Sequence, residues 1–401
     1  MEISEKTVNF IKEHLKDDPN GLRLKYSGKS EMMDIPIDFA LLQIEARRKA
    51  QKKIPTYLAN PFFIIPDTLA SEQATNETIA QFHSSLVKTG SRILDLTAGL
   101  GIDDLTFAKN GMTVTACEID VKKSEALTHN AGILGLKERL TVINTDSMDF
   151  VSKCNNHYDV IFSDPARRST TGRRLHALSD CQPDILKGMD TIMQLTDRLL
   201  IKSSPLLDLK LIRDTVDNLN HIYVVCHKGE CKEVLIDIRK GHDFSGVTVA
   251  DIDSKGIIST FECHLSPTSE ASVLKYADRN TPMDYRYLYE PNAGIMKTGA
   301  WEELSQEFPD LWKADQNTHL FFSDTLFRHF PGRTLEILSR LDKKTLKAMK
   351  GKKCNIVARN YPLSAPDIAK KYSLIPGDTT FLYAMRYKGT PICLLAESIS
   401  K

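Results

Sequence analysis

The sequence lacks the features of a membrane or a secreted protein. No run of about 18 apolar residues occurs in its 401 residues, so we expect no transmembrane helix and no membrane partner. The first residues, MEISEKTVNFIKEHLKDD, are acidic early and contain no continuous apolar stretch, so we expect no secretory signal. Internal repeats and low-complexity tracts are also absent.

The cysteines do not form a disulfide framework. The chain has eight of them without regular spacing, and most lie in apolar runs such as TVTACEI and YVVC. Such positions are typical of reduced, buried thiols, which predicts a cytoplasmic protein. Cys226, His227 and Cys231 lie close together, but no second Cys/His pair follows nearby. We therefore expect no metal site.

A strong net charge is missing as well, but the charge is unevenly distributed. The whole chain has a formal net charge of +1, whereas residues 342–401 carry 12 Lys and Arg against 4 Asp and Glu. A basic C-terminal segment on an otherwise acidic chain favours a polyanionic partner. The run KKTLKAMKGKK is equally compatible with solvated lysines on a helix face.

A chain of 401 residues is too long for one packed core, so we expect two or three domains. Residues 1–68 have helical spacing, and the next helix is predicted to begin at the N-cap Ser71. From Arg92 to Lys240 strands alternate with helices, which predicts an open parallel sheet with helices on both faces. The segment QPDILKGMDTIMQLTD is predicted to be one of these helices. The last two strands are joined by GECK alone, and such a short connection requires an antiparallel hairpin. The end of the chain predicts a strand, a short helix and a β-hairpin that turns near Lys388-Gly389.

A glycine-containing turn, DLTAGLGID over residues 95–103, follows the first of these strands. Gly99 and Gly101 have no Cβ, so the turn can be tight and a ligand can approach the backbone. The N–H groups that begin the next helix favour a carboxylate of the ligand, and Asp95 can accept a hydrogen bond from its ammonium group. Asp104 occupies the place of the third glycine of the dinucleotide fingerprint, and its charge disfavours a pyrophosphate there.

Acidic residues end the next two strands. Glu118 ends the second strand, where a carboxylate can bind both hydroxyls of a ribose. Asp146 ends the third strand, where it can reach the amino group of an adenine. The alternatives are a solvent-facing loop acid at Glu118 and a helix cap at Asp146. The occurrence of both acids at successive strand ends, in register with the glycine turn, favours binding of a nucleoside.

The fourth strand ends in Asp164-Pro165-Ala166-Arg167-Arg168. An amino group on an aromatic ring is a poor nucleophile because its lone pair is delocalised. Hydrogen-bond acceptors such as the Asp164 carboxylate and the Pro165 carbonyl would favour the tetrahedral nitrogen that attacks an electrophilic methyl group. Arginines that could clamp phosphates follow directly, at positions Arg167, Arg168, Arg173 and Arg174, although a mobile basic loop is the alternative.

In these motifs the sequence resembles the class I S-adenosylmethionine-dependent methyltransferases. TAGLGxD over 97–103 is similar to the glycine motif of bacterial small-subunit rRNA guanine-N2 methyltransferases. Glu118, Asn130 and Asp146 match the spacing of the group that resembles the cap trimethylguanosine synthases. VARNYPLS, YLYEPNAGIMKTG and NTHLFFS resemble bacterial proteins that pair a methyltransferase domain with a C-terminal THUMP-like domain.

The resemblance implies the fold and the domain organisation. It implies an α/β chain with a Rossmann-like, seven-stranded methyltransferase sheet that ends in an antiparallel hairpin. An N-terminal helical region precedes this sheet, and a C-terminal α+β THUMP-like domain follows it. The corresponding ranges are a helical region at 1–68, a methyltransferase domain at 69–242, a mixed connecting region at 243–330 and a basic THUMP-like domain at 331–401.

The resemblance also implies the activity and the residues that perform it. We expect S-adenosylmethionine as the cofactor and an exocyclic amine of a base in RNA, guanine N2 favoured, as the acceptor, in rRNA or tRNA. The expected cofactor-binding residues are Asp95, Thr97, Gly99, Gly101, Glu118 and Asp146, and the expected catalytic residues are Asp164 and Pro165. RNA is expected to contact Arg167, Arg168, Arg173, Arg174, Lys352, Lys353 and Arg359.

The fourth-strand motif departs from the pattern of amino-group methyltransferases. Ala166 replaces a second proline, and Arg167 replaces an aromatic residue that would stack on the base. The string Asp-Pro-Ala-Arg resembles the motif of uracil-C5 RNA methyltransferases, which require a nucleophilic cysteine. Cys226 ends the sixth predicted strand, whereas this resemblance would require the cysteine after the fifth strand, where Ser203 and Ser204 stand. We therefore interpret Cys226 as a buried structural residue. A uracil-C5 enzyme and a catalytically silent RNA-binding protein are the two alternatives.

Overall fold

The computed structural model describes residues 3–167, 181–253, 255–256, 258–265 and 274–399. Contacts between these residues divide the chain into two compact units. The first is formed within 1–223, 233–245 and 254–258, and the second within 224–232, 246–253 and 259–401. The four-part division from the sequence stays a prediction. Within the described ranges, every helix is too short or too polar to cross a membrane.

The first unit begins with helices, as the spacing over 1–68 predicts. Its elements are α1 (Glu5–His14), α2 (Pro19–Lys25), β1 (Glu31–Met32), β2 (Ile35–Pro36), α3 (Ile37–Ala50), α4 (Pro55–Leu58), α5 (Thr68–Gln73) and α6 (Glu77–Ser85). Ile37, Ala40 and Ile44 are fully buried on α3 and form the centre of an apolar cluster with α1 and α2. The recurrence of apolar residues at three- and four-residue intervals therefore marks the buried face of α3.

The helix predicted to start at Ser71 is in fact two helices. Asp67 caps α5 by accepting a hydrogen bond from the Ala70 N–H at 2.6 Å, and Asn76 caps α6 by accepting one from the Thr78 N–H at 2.9 Å. Ser71 lies inside α5 and is buried. The prediction for Ser71 is wrong because the short acceptors Asp67 and Asn76 compete for the two helix starts.

A sheet of alternating strands and helices follows. Its elements are β3 (Arg92–Asp95), α7 (Ile102–Lys109), β4 (Thr113–Glu118), α8 (Val121–Ile133), β5 (Leu140–Asn144), α9 (Ser147–Lys153), β6 (Val160–Ser163), β7 (Ala166–Arg167), β8 (Cys181–Gln182), α10 (Met189–Ile192), β9 (Arg198–Ser203), α11 (Leu209–Thr215), β10 (Leu219–His227) and β11 (Glu230–Arg239). β7 and β8 form a separate two-stranded ladder. The helix predicted over 182–197 is reduced to α10, because Gly188 precedes it and glycine disfavours a helix interior.

The strand order indicates at which end of the sheet a ligand can bind. Within a nine-stranded sheet, seven strands follow one another in the order β10-β11-β9-β6-β3-β4-β5. Pairs within β9-β6-β3-β4-β5 are parallel, whereas β11 is antiparallel to β9. The order reverses beside β3, since the next strand along the chain lies on one side and β6 lies on the other. Ligands of open α/β sheets bind at the carboxyl ends of the strands at such a reversal. The predicted Rossmann-like sheet with a terminal hairpin is confirmed.

The second unit is a mixed α+β structure. It contains β12 (Gly246–Ile252), β13 (Ile258–Cys263), a 3₁₀ turn (Pro282–Asp284), β14 (Tyr287–Pro291), α12 (Ala293–Thr298), α13 (Trp301–Glu307), β15 (Trp312–Lys313), β16 (Phe321–Ser323), β17 (Gly332–Leu341), α14 (Lys343–Ala348), β18 (Asn355–Arg359), α15 (Ala365–Tyr372), β19 (Thr380–Tyr387) and β20 (Thr390–Ser398). Seven strands form one sheet in the order β15-β16-β14-β17-β20-β19-β18. The predicted strand, short helix and terminal hairpin correspond to β18, α15 and the β19–β20 pair.

This second sheet is buried on both faces. Tyr383 and Met385 of β19 belong to one apolar cluster, whereas Leu382 and Ala384 belong to another. Successive side chains of a strand point to opposite faces, so the two clusters lie on opposite sides of the sheet.

Candidate cofactor pocket and active site

A cavity of about 370 Å³ lies in the first unit, at the carboxyl ends of β3, β4, β5 and β6. The predicted cofactor-binding residues all line it, namely Asp95, Thr97, Gly99, Gly101, Glu118 and Asp146. Asp164 and Ala166 line it too, whereas Pro165 is buried beside it and is not a wall residue among those described. The structure therefore brings the predicted residues together, and their individual roles stay predictions.

The two glycines of the turn are needed for different reasons. Gly99 has a φ of 59° and Gly101 a φ of 75°, and both values lie in the left-handed region that favours glycine. A Cβ on Gly101 would lie 2.2 Å from Leu127 Cδ1, so Gly101 allows α8 to pack closely. A Cβ on Gly99 would meet nothing nearer than the Thr97 carbonyl oxygen at 3.9 Å. Gly99 therefore leaves an open wall of the cavity.

Glu118 connects the glycine turn to the end of β4. Its Oε2 accepts a hydrogen bond from the Gly99 N–H at 2.7 Å, and its Oε1 accepts one from the Asp120 N–H at 2.8 Å. The residue is only 7% exposed. A carboxylate has about four lone-pair sites, so each oxygen can still accept a hydroxyl. The solvent-facing loop acid considered above does not describe this buried side chain.

Asp146 has the structural role of a helix cap at the cavity wall. Its Oδ1 accepts hydrogen bonds from the Met148 and Asp149 N–H groups at 2.8 and 3.1 Å, which begins α9. The residue is exposed and lines the cavity, so the second oxygen has room for a ligand. Capping and adenine binding are therefore compatible functions of the same carboxylate.

Asp95 and Asp104 form a buried acidic pair beneath the turn. Burial and the neighbouring carboxylates raise the pKa of Asp95 to about 7, although a hydrogen bond from the Thr97 N–H at 2.6 Å opposes the rise. Burial and the charge of Asp95 hold the pKa of Asp104 well above its usual range. Asp104 is fully buried and does not line the cavity within the described ranges, so its carboxyl group does not stand where the sequence pattern suggested that it would repel a pyrophosphate.

Asp164 is fixed to the neighbouring elements through its backbone and its side chain. Its N–H donates to Thr97 Oγ1 at 2.6 Å, which connects the end of β6 to the glycine turn. Its Oδ2 accepts a hydrogen bond from Lys202 Nζ at 2.7 Å. The side chain is 47% exposed, so Asp164 presents a carboxylate with a defined position at the cavity wall.

Behind Asp164 lies a buried ionic network that the sequence analysis missed. Lys202 Nζ also donates to Thr75 Oγ1 at 2.9 Å and lies 3.5 Å from an oxygen of Asp103. Asp103 in turn accepts from His83 Nδ1 at 2.8 Å, and His83 Nε2 contacts Glu233. The network extends from the cavity wall to β11.

The charges of this network stabilise one another. Burial alone lowers the pKa of His83, but the carboxylates of Glu233 and Asp103 outweigh it and raise this pKa to about 9. Burial lowers the pKa of Lys202 as well, yet its three carboxylate neighbours hold it above its usual range. Lys202 is therefore a permanent cation beside Asp164. The lysine inside the apolar strand RLLIKSS is the sequence signal that could have identified it.

Within the part of the chain that the structure describes, the predicted RNA-contacting residues do not line this cavity. Arg168, Arg173 and Arg174 fall outside the described residues, and only the backbone of Arg167 is described, in β7. The other three belong to the second unit, where Lys352 and Lys353 are exposed between α14 and β18 and Arg359 ends β18.

Among the described residues, the cysteine that lines the cavity is not an activated nucleophile. Cys226 is fully buried in β10, as predicted. Cys117 is the cysteine that lines the cavity within the described ranges, and burial together with nearby carboxylates raises its pKa to about 12. A thiol with such a pKa is a poor nucleophile at neutral pH.

These features define the class of the first unit. A parallel sheet with a terminal antiparallel hairpin, a glycine turn after its first strand and acids at the ends of the next strands form the class I methyltransferase fold. A solved structure of a candidate methyltransferase from Porphyromonas gingivalis W83 aligns with all of this chain and all of its own, with a TM-score of 0.81 and 24% identity. That likeness establishes the shared fold.

Three segments of the chain match family models. Residues 90–168 match RNA cap guanine-N2 methyltransferase, residues 287–331 match a ferredoxin-like domain, and residues 332–398 match a THUMP domain-like family. The resemblance to class I methyltransferases with a C-terminal THUMP-like domain is therefore confirmed.

Curated relatives match a shorter stretch. The ribosomal RNA small subunit methyltransferase J of Francisella tularensis subsp. novicida is 39% identical over 80 residues, which is 18% of this chain and 33% of that protein. The corresponding protein of Francisella tularensis subsp. holarctica is 38% identical over 80 residues. The chain thus spans about a third of the length of the curated relatives it matches.

Proposed function

We propose that this protein is an S-adenosylmethionine-dependent methyltransferase that methylates an exocyclic amine of a base in RNA, with guanine N2 favoured. The observation that carries the proposal is the arrangement of Gly99, Glu118, Asp146 and Asp164 around one cavity. The match of residues 90–168 to the RNA cap guanine-N2 methyltransferase family supports the choice of acceptor.

The walls of the cavity fit the cofactor. Glu118 offers two fixed carboxylate oxygens for ribose hydroxyls, and Asp146 has an oxygen for the adenine amino group. Gly99 leaves space at the backbone, and the first turn of α7 borders the cavity through Ile102 and Asp103. N–H groups of a helix start suit the carboxylate of the methionine part. Carboxylates around the cavity also suit a ligand that carries a positive sulfonium.

Asp164 is the acceptor that would orient the substrate amine. When bound, S-adenosylmethionine supplies an electrophilic methyl group on a sulfonium. The Asp164 carboxylate would accept a hydrogen bond from the amine and so localise the nitrogen lone pair for attack on that methyl group, with the thioether as the leaving group. The amine then loses a proton to solvent. Lys202 Nζ, 2.7 Å from Oδ2, holds the Asp164 side chain in place.

The cavity favours this reaction over the uracil-C5 alternative. A C5 transfer requires a thiolate that attacks the base. Among the cysteines of the described residues, Cys117 lines the cavity, and its pKa of about 12 keeps it protonated. Ala166, which replaces the second proline of the amino-group motif, lines the cavity as a small side chain and leaves room for a base.

RNA as the substrate is supported by the second unit and by the relatives. Residues 332–398 match a THUMP domain-like family, and the matched relatives are named as ribosomal RNA methyltransferases. The basic C-terminal segment is compatible with a polyanion.

Mapping of modified nucleosides tests the proposal. RNA from cells with and without the gene is digested to nucleosides and analysed by mass spectrometry, for rRNA and tRNA separately. We expect one N2-methylguanosine to disappear without the gene. The wild-type gene and the control Asp149→Ala should restore it, whereas Asp164→Ala should not, although its affinity for S-adenosylhomocysteine stays within a few fold of wild type.

The other outcomes are also informative. Loss of 5-methyluridine would favour the C5 alternative. No change in any methylated nucleoside, together with retained cofactor binding, would identify a catalytically silent RNA-binding protein.

A further inference from the structure

A second cavity, of about 710 Å³, lies wholly within the second unit. Its walls come from the ends of β14 and β20, the starts of β17 and α15, and β18. The lining contains two arginines from different strands. Arg333 lies at the start of β17, and Arg359 lies at the end of β18. Apolar side chains such as Met296 and Ile356 complete the lining.

One buried carboxylate fixes both arginines. Glu290 Oε2 accepts from Arg333 Nη1 at 2.5 Å, and Glu290 Oε1 accepts from Arg359 Nη2 at 2.9 Å. The Tyr383 hydroxyl donates to Glu290 Oε2 at 2.7 Å, and the Arg333 guanidinium lies 4.6 Å from the centre of the Phe381 ring. The side chain of Glu290 is 9% exposed, so the anchor itself is almost inaccessible.

The arginines keep unused donors at the cavity. Their side chains are 42% and 43% exposed, although they share a nearly buried partner. An arginine has five N–H donors, and in the contacts of the described residues Arg333 uses Nη1 and Arg359 uses Nη2. Both guanidinium cations share the single Glu290 carboxylate, so neither has a carboxylate of its own among these contacts. The other acid of the lining, Asp251, accepts a hydrogen bond from Asn292 at 3.2 Å.

We propose that this cavity binds the phosphate group of a phosphate ester. Rigid guanidinium forks bind phosphate oxygens in pairs, and their fixed orientation reduces the entropy lost on binding. The apolar walls suit the organic part of an ester better than inorganic phosphate alone. The ester is either a phosphate of an RNA chain or that of a free nucleotide. Only the RNA source rests on the proposed function, since the cavity itself does not depend on methyl transfer.

The test uses the full chain saturated with S-adenosylhomocysteine, so that a nucleotide cannot enter the first cavity. Adenosine monophosphate is titrated by calorimetry against wild type, Arg359→Gln, Arg359→Lys and the control Arg286→Gln. Arg286 is an exposed arginine directly before β14 of the same sheet. It pairs with Glu336 and does not line the cavity. Thermal denaturation verifies that each variant is folded.

We expect Arg359→Gln to weaken binding of the nucleotide roughly tenfold to a hundredfold, in line with the loss of charge-assisted hydrogen bonds. Arg359→Lys should be intermediate because it keeps the charge and loses the fork. Adenosine, which lacks the phosphate, should bind at least about tenfold more weakly than the monophosphate to wild type. The control should match wild type.

A second arm identifies the source of the phosphate. A single-stranded RNA of twelve nucleotides is titrated by fluorescence anisotropy against the same variants. A loss in Arg359→Gln and not in Arg286→Gln assigns the site to RNA, and a loss for the nucleotide alone assigns it to a free ester. Equal affinities of Arg359→Gln and wild type for both ligands would overturn the proposal. Failure of S-adenosylhomocysteine to bind would contradict the proposed function. The calorimetric titration would then be repeated with a nucleotide that lacks adenine, and its result would still test the phosphate site.

Discussion

Substituting each glycine of the cofactor turn by alanine separates packing from binding. Both glycines have a positive φ, so an alanine at either position costs about 1 kcal/mol in backbone strain. At Gly101 the new methyl group would lie 2.2 Å from Leu127 Cδ1, where ordinary carbon contacts are about 3.5–4.0 Å. Leu127 is fully buried and cannot move freely. Overpacking of this kind costs about 1–3 kcal/mol more.

We therefore expect Gly101→Ala to lower the free energy of unfolding by about 2–4 kcal/mol. Gly99→Ala should lower it by only about 1 kcal/mol, because its methyl group meets no protein atom nearer than 3.9 Å. That methyl group occupies the wall of the cavity instead, so Gly99→Ala should weaken binding of S-adenosylhomocysteine roughly tenfold.

Chemical denaturation followed by far-ultraviolet circular dichroism measures the first effect, and calorimetry measures the second. Both Trp residues, Trp301 and Trp312, belong to the second unit, so tryptophan fluorescence would not report on this turn. The reasoning is refuted if Gly101→Ala is as stable as Gly99→Ala, or if Gly99→Ala binds the cofactor product as tightly as wild type.

Three further predictions concern the acids and the buried network. Because the folded-state pKa of His83 is about 9, above its unfolded value of about 6.5, its stabilisation of roughly 3 kcal/mol is complete below pH 6.5 and is lost as the pH rises through 9. Denaturation from pH 6 to 10 should show this loss in wild type and not in His83→Gln, and parallel profiles would contradict it. Glu118→Gln should weaken binding of S-adenosylhomocysteine by at least about tenfold in calorimetry, because an amide cannot accept from both N–H groups, whereas the exposed control Glu125→Gln should bind normally. Lys202→Met should destabilise the protein by about 3 kcal/mol, since it leaves buried carboxylates without their cation, and equal loss in the exposed control Lys210→Met would refute this.

The parts of the site that follow strand ends could be predicted from the sequence. Gly99 lies in the turn after β3, Glu118 ends β4 and Asp164 directly follows β6, and the carboxyl ends of parallel strands meet at one edge of the sheet. The network behind them could not be predicted, because its contacts join residues that are far apart in the chain. His83 and Glu233 are 150 positions apart, and neither lies in a recognisable motif.

Predictions about single helices and single side chains were wrong where several sequence signals compete. The helix over 182–197 was expected from its apolar spacing, yet Gly188 limits it to α10. Asp104 was interpreted as a charge that faces the ligand, since its position in the motif says nothing about burial. Only the fold shows that it is enclosed, and burial together with the charge of Asp95 raises its pKa.

The central claim is that the cavity around the glycine turn holds an adenosine with a sulfur-containing tail. A crystal structure of the full chain grown with S-adenosylhomocysteine tests it most directly. We expect the ribose hydroxyls to lie on Glu118, the adenine beside Asp146 and the sulfur towards Asp164. Clear density for the product at another site, or a filled cavity whose ribose lies away from Glu118, would contradict it.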